Sequence, residues 1–282
     1  MFRSVVTGLM ALIVCAPVFA APVKLGVYPS NDPAKLQRVM KVFADYLSDK
    51  TGDAVSATVT RDYDELVERL RDRTIDIAWI NTLNYVKIKK ALPEIEYLAT
   101  YMEMNPDTGA IQPYYQAYIV ALKNGGPASL EEGRGKRFAF VDISSTSGYG
   151  YPNLLLRKRG IDADRYFGKV FFLKKHDRVI EALLAGSIDL GAVSDGTYHT
   201  AVRKHGDRFA ILAKSDPIPL DAIVAVAGFP ADRVEIYRKA MIEMPADHVF
   251  CRNMRDVLGW FAAGFELRGD SFYDSAREAL VP

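Results

Sequence analysis

Residues 137–159 read RFAFVDISSTSGYGYPNLLLRKR. Phe138 to Val141 is a short apolar and aromatic run of the kind that forms a buried strand, and the pattern predicts a helix from Tyr149 to Arg159, with Gly160 as the stop. Between them stand Ser144, Ser145, Thr146, Ser147 and Gly148. The first turn of a helix carries N–H groups with no intrahelical acceptor, together with the positive end of the helix dipole. A tetrahedral oxyanion can take N–H and O–H bonds there without a cationic side chain. Ser and Thr before a helix are also ordinary N-caps, so the stretch by itself leaves two readings open, cap and anion site.

Upstream, Val23 to Tyr28 reads as a strand, and Asn31-Asp32-Pro33 supplies a cap followed by Pro at the first helical position. Leu36, Val39, Met40, Phe43 and Leu47 then recur at helical spacing to about Lys50, before Gly52. Val55 to Thr60 is rich in β-branched residues, Asp62 to Glu65 forms a capping box for a helix ending near Arg71, and Ile75 to Ile80 is an apolar strand of the doubly covered, parallel kind. This βαβαβ plan recurs at an offset of 113. Leu25-Gly26-Val27 maps onto Phe138-Ala139-Phe140, Val67-Glu68-Arg69-Leu70 onto Ile180-Glu181-Ala182-Leu183, Ile75-Asp76-Ile77 onto Ile188-Asp189-Leu190, and Tyr85 onto Tyr198. A shared order of elements at one offset implies two similar α/β units.

Tyr114 to Leu122 and Ala222 to Val226 are expected to be the two strands that cross between the units. From Pro230 onward, Val234, Tyr237 and Met241 have helical periodicity, and Trp260, Phe261 and Phe265 follow. A terminal segment without its own sheet needs apolar surface to cover, so it is expected to fold back on the first unit. The expected fold is α/β: two similar lobes joined by two crossing strands. Lobe 1 begins with residues 21–114. Lobe 2 with the first crossing strand spans 115–221, and residues 222–282 supply the second crossing strand and C-terminal helices on lobe 1. The cleft between the carboxyl ends of two such sheets is the expected ligand position.

Arg3, an apolar run from Val5 to Val14 and the small residues around Ala20 and Ala21 have the form of a secretory signal peptide, residues 1–20. Val14 before Cys15 argues against lipid attachment. Of 36 Lys and Arg against 35 Asp and Glu, the segment removes only Arg3, leaving a mature chain of zero formal charge. That balance implies no nucleic-acid partner. Cys251 is then the one remaining cysteine, so no intrachain disulfide can form. The expected product is an exported, periplasmic, soluble monomer.

The signal peptide, the two-lobed plan, Ile75-Asp76-Ile77-Ala78-Trp79, Phe138-Ala139-Phe140-Val141-Asp142 leading into Ser145-Thr146-Ser147-Gly148, and His176-Asp177 together resemble the periplasmic phosphonate/phosphite/phosphate-binding proteins of ABC importers, with the type II binding-protein fold. The resemblance covers roughly Lys24 to Asp221. It implies that Ser145, Thr146 and Ser147 grip the ligand's oxygens and that His176 lines the cleft. It also implies a small oxyanion as ligand, a membrane permease as partner, and neither cofactor nor catalysis. Asp195, after the strand Leu190 to Val193, can accept only from a protonated oxygen or an amine; a helix cap is its other reading. In the first lobe Tyr28, Asn81 and Thr82 occupy the equivalent strand ends, with Tyr85 a turn further on, and Asn81 and Thr82 are also plausible caps. Tyr114 and Tyr115 lie at the first crossing. Relatives often carry Ser two residues after the crossing Tyr, where this chain has Gln116 and Ala117, so the ligand's non-phosphate portion is expected to differ. The loop from Met104 to Gln112 and the pair Tyr149 and Tyr151 are further candidates for that difference.

Two other functions use the same residues. A periplasmic sensing subunit that presents its liganded state to a membrane kinase would have the same fold and cleft. Ser145, His176 and Asp195 are the residue types of a hydrolytic triad, but no Gly-x-Ser-x-Gly elbow is present. His199 and His205 have no cysteine or carboxylate cluster in sequence to complete a metal site.

Overall fold

Val23–Val27 pairs in parallel with Val55–Val59 on one side and with Ile77–Ile80 on the other, and this trio is the centre of the first of two sheets. The computed structural model describes residues 22–106 and 108–278. The predicted signal peptide, Cys15 included, lies outside the described residues. In the first sheet the strand order is Ala262–Glu266, Glu96–Met104, Ala222–Ala225, Ile77–Ile80, Val23–Val27 and Val55–Val59, with Ile111–Gln112 added to Glu96–Met104. The second runs Phe209–Lys214, Ala117–Leu122, Leu190–Ser194, Arg137–Phe140, Lys169–Phe172.

The repeat at 113 residues is present in the pairing register itself. Leu25 faces Ile77 as Phe138 faces Leu190, and Lys24 faces Ser56 as Arg137 faces Lys169. Even the local polar bonds recur, since the Lys24 N–H donates to Asp76 Oδ2 and the Arg137 N–H to Asp189 Oδ2, both at 2.8 Å. The Asp of each Ile-Asp pair therefore has a local task, holding the start of the neighbouring strand, and is not a cleft residue.

Helix boundaries follow their caps. Asp32 accepts from the Lys35 N–H at 2.9 Å and Pro33 opens the helix Pro33–Thr51, which Gly52 ends in the left-handed region. Asp62 accepts from the Glu65 N–H at 2.8 Å. The returning bond of this box goes one residue further out, from the Arg61 N–H to Glu65 Oε2 at 2.6 Å. The helix expected at Tyr149 begins earlier, as a wide five-residue turn, Thr146–Gly150, that runs into Tyr151–Lys158.

Three expectations are corrected. Ala222–Ala225 is not a crossing strand: it is fully buried inside the first sheet, antiparallel to both Ile77–Ile80 and Glu96–Met104. Ala117–Leu122 has the same place in the second sheet, antiparallel to Leu190–Ser194, so in each lobe an antiparallel strand from beyond the βαβαβ unit stands beside that unit's third strand. The crossings are the two-stranded ribbon of Tyr114–Tyr115 with Ile218–Pro219. The strand read as continuous from Tyr114 to Leu122 breaks at Gln116, whose N–H leaves the ladder to donate to Asp195 Oδ2 at 3.0 Å. Finally, the C-terminal segment adds a strand as well as helices. After Ala231–Ile242 and Val249–Asn253, Ala262–Glu266 completes the edge of the first sheet, where Phe265 stacks on Phe43 and meets Trp79 edge-on.

Candidate functional site

The two sheets turn their carboxyl ends toward one cavity of about 60 Å³ between the lobes. From the first lobe, Tyr28 and Ser30 follow the strand Val23–Val27, Asn81 follows Ile77–Ile80, and Tyr101 and Glu103 project from Glu96–Met104. Tyr63, at the start of its helix, stacks on Tyr28 with ring centres 5.1 Å apart, and Trp260 stacks on the same ring at 6.4 Å. The crossing contributes Tyr115, Leu220 and Asp221; the second lobe contributes Ser145, Ser147, His176 and the turn Ser194 to Thr197.

The hydroxyl stretch serves as cap and as cavity wall at once. Ser145 Oγ accepts from the Gly148 N–H at 3.1 Å and so uses one lone pair, while its hydroxyl also pairs with that of Tyr63 in the cavity wall. Gly148 is required by close approach, because a Cβ there would stand 2.4 Å from Val141 Cβ at the end of the buried strand. His176 Nδ1 accepts from the Ser194 N–H at 3.2 Å, which leaves the ring proton on Nε2. Burial holds its pKa down at about 4, so the ring is a neutral donor at neutral pH.

Among the described residues, no lysine or arginine lines this cavity, whereas three carboxyl groups do. Burial raises Asp195 to about 6, against the opposing bonds from the backbone N–H groups of Gln116 and Gly196. Burial likewise raises Asp221 to about 6, although Tyr28 Oη and Trp79 Nε1 both donate to its Oδ2, the latter at 3.0 Å. Glu103 goes further, to about 8, through burial and then the charge of Asp195. Donors for an anion are therefore all neutral: hydroxyls, the imidazole and backbone N–H groups.

Of the residues singled out in the sequence, Tyr28, Asn81, Tyr115, Ser145, Ser147, His176 and Asp195 all border the cavity. Thr82 and Thr146 do not. Thr82 Oγ1 donates to the Pro219 carbonyl at 2.6 Å, tying the first lobe to the crossing. Thr146 Oγ1 accepts from the Leu83 N–H at 3.2 Å, across the lobes. Asn81 has two tasks, since Oδ1 caps its helix by accepting from the Asn84 N–H at 2.9 Å and Nδ2 donates across the lobes to the Ser144 carbonyl at 2.9 Å. Tyr85 lies away from the cavity and donates to Asp270 at 2.9 Å. Tyr149 packs on Phe140 and Phe172, with the second lobe's core, and Tyr151 is buried in the first lobe's cluster. Among the described residues, no group of three or more His, Cys, Asp or Glu is placed to hold a metal. No hydrogen bond is found among the described residues between His176 and either Ser145 or Asp195, the contacts a hydrolytic triad would need.

The arrangement has relatives. The family described as the periplasmic substrate-binding protein of the phosphonate ABC transporter matches residues 25–265. The chain belongs to that family. The phosphate-import protein PhnD of Mycolicibacterium smegmatis is 26% identical over 196 residues, which are 67% of this chain and 60% of that protein. The match thus spans less than two thirds of that relative's length. Two solved structures have the same fold. PhnD1 of Prochlorococcus marinus, in complex with methylphosphonate, superposes with a TM-score of 0.79 at 19% identity, covering 92% of this chain and 96% of its own. The binding component of an ABC phosphonate transporter from Pseudomonas aeruginosa gives 0.77 at 19%, covering 92% and 85%. The chain thus has the type II binding-protein fold, and its family is one of periplasmic substrate-binding proteins.

Sequence reading missed Ser30, Tyr63, Tyr101, Glu103, Ser194, Thr197, Asp221 and Trp260 as cavity residues. Ser30 Oγ is buried without a hydrogen-bond partner, an open donor in the wall. A signal existed for Asp221, a charged residue between Leu220 and the apolar run Ala222–Ala225. For Glu103 there was none, because it stands near the end of a strand flanked by Ala222–Ala225 and Ala262–Glu266, both from distant parts of the chain.

Proposed function

We propose that this chain captures a small tetrahedral oxyanion, a phosphonate, phosphite or phosphate, between its lobes and delivers it to the membrane permease of an ABC importer. Residues 1–20 would direct its export. The observation that carries the reading is the joining of Ser145 and Ser147, at the N-terminal end of a 13-residue helical segment, with neutral His176 around one small cavity that no lysine or arginine among the described residues lines. Helix-end N–H groups and hydroxyls favour an anion there without a lysine or arginine. Size favours a small ligand: about 60 Å³ holds roughly four to six water-sized groups. Both lobes contribute contacts that exist only when the cleft is shut, so the ligand shifts the population toward closure. The protein's part is binding alone, without a catalytic step.

A thermal-shift series with phosphate, phosphite, methylphosphonate and sulfate tests this. A ligand that binds only the native state raises Tm, by ~2.7 kcal/mol of added stability at a hundredfold excess over Kd. At least one phosphorus oxyanion should give the shift. A protein that responds to none of them, or to sulfate alone, refutes the proposal.

A further inference from the structure

Glu103 and Asp195 border both the main cavity and a second one of about 10 Å³, which Met104, Asn105 and Gln112 help to line. Neither Ser145 nor Ser147 reaches the smaller cavity, so the two carboxyl groups mark the end of the cleft away from the hydroxyls. One comes from each lobe, and closure brings them together. On the first sheet the strand neighbours of Glu103, Ala262 and Gln112, carry no charge. Tyr101 of its own strand donates to Glu103 Oε1 at 3.0 Å. The crossing presents Asp221, Tyr114 and Tyr115; the strand end of the first lobe presents Tyr28, beside Tyr63; the second lobe presents Asp195 and neutral His176. The basic group felt at this end is Lys214, which acts on Asp195 from an exposed position over the Tyr118 ring.

We propose that Glu103 is a neutral carboxyl in the shut cleft, so that capture of the oxyanion takes up a proton at this residue and provides an O–H donor in an end of the cavity otherwise rich in acceptors. The inference rests on the capture reading given above. When two carboxylates share a desolvated site, one is held ionised and the other takes the proton. Asp195 is the one held, by the N–H groups of Gln116 at 3.0 Å and Gly196 at 2.8 Å. Asp221 has Tyr28 and Trp79. Glu103 has the Tyr101 hydroxyl, the least support of the three for a negative charge. Its raised pKa of about 8 agrees with that order. With the lobes apart, water reaches Glu103 and Asp195 is withdrawn, so its pKa returns toward about 4.3. Between these values the shut state binds one more proton than the open state. Affinity therefore falls as pH rises through the window, by at most about tenfold per pH unit, and levels above about pH 8.

Calorimetric titration with methylphosphonate and with inorganic phosphate, near neutral pH in two buffers of different ionisation enthalpy, counts the protons taken up. Comparing wild type with Glu103→Gln cancels the ligand's own ionisation. Wild type should take up about one proton more than the variant, and the ratio of wild-type to variant affinity should fall from about pH 6 to 8. Equal proton counts overturn the inference. Equal counts with affinity lowered tenfold at every pH would instead make Glu103 an ionised hydrogen-bond acceptor in the cleft. Glu103→Ala reads the same difference if the Gln variant does not fold. Binding with equal counts refutes this inference alone, whereas failure of wild type to bind either probe refutes the capture reading and this one with it.

Discussion

Thr146→Val changes a contact between the lobes. Thr146 Oγ1 accepts from the Leu83 N–H at 3.2 Å, and both residues are at most 2% exposed. Leu83 lies in the first turn of Thr82–Ala91, where the helix has no carbonyl for its N–H. Valine keeps the volume and removes the acceptor. In the shut state the N–H is then buried without a partner, at a cost of about 1–3 kcal/mol. With the lobes apart, water satisfies it, so the cost falls on closure and not on folding. At about tenfold per 1.4 kcal/mol, Kd should rise roughly five- to 150-fold. Because the lost bond is between lobes, the factor should be the same for phosphate, phosphite and methylphosphonate, while the urea stability of the ligand-free protein stays within about 0.5 kcal/mol of wild type. Titration calorimetry with each ligand and urea unfolding supply both numbers. An unchanged Kd, or a factor that varies more than about fivefold between ligands, refutes the assignment of Thr146 as a lobe clasp.

Ser147→Ala removes a hydroxyl from the cavity wall itself; a hydrogen bond to a charged group is worth ~1.5–3 kcal/mol, so Kd should rise about ten- to 150-fold, and calorimetry showing wild-type affinity would remove Ser147 from the site. Gly148→Ala forces a methyl to within 2.4 Å of Val141 Cβ in the second lobe's core and should cost roughly 1–3 kcal/mol in urea unfolding; a loss under about 0.5 kcal/mol means the strand end can give way. His176 has a pKa held down at about 4 in the folded chain against about 6.5 unfolded, so the unfolded state binds the extra proton between them. Its contribution is complete above about pH 6.5 and is lost as pH falls toward 4, a swing of order 3 kcal/mol. His176→Gln should therefore reduce stability more at pH 7 than at pH 4.5, and equal losses at the two values would show that burial does not hold the ring neutral.

What the sequence determined by itself was set by short-range chemistry. Asp32 before Pro33, Asp62 before Glu65 and Ser145 before Gly148 cap their helices through bonds three residues long, and such bonds are legible wherever the residues are adjacent in the chain. The repeat was legible for a related reason. Leu25 and Phe138, or Ile77 and Leu190, face equivalent parallel neighbours, and buried strands of that kind accept little but apolar residues in either lobe. Seven of the nine proposed contacts reached the cavity because they stand at strand ends or helix starts on the edge that the topology directs to the cleft.

The tertiary structure decided what depends on partners far along the chain. Ala222–Ala225 reads as any apolar strand, and only its antiparallel place between Ile77–Ile80 and Glu96–Met104 makes it part of the first lobe and moves the crossing to Ile218–Pro219. Thr146 and Ser147 are neighbours of the same polarity, yet the wide turn rotates one toward Leu83 of the opposite lobe and the other into the cavity. Glu103 and Asp195 lie 92 residues apart in the numbering, and neither has an unusual neighbour in sequence. Their shared desolvation arises when the lobes meet. Burial and through-space charge are properties of the closed packing, so the acid end of this cleft could not be read from the chain alone.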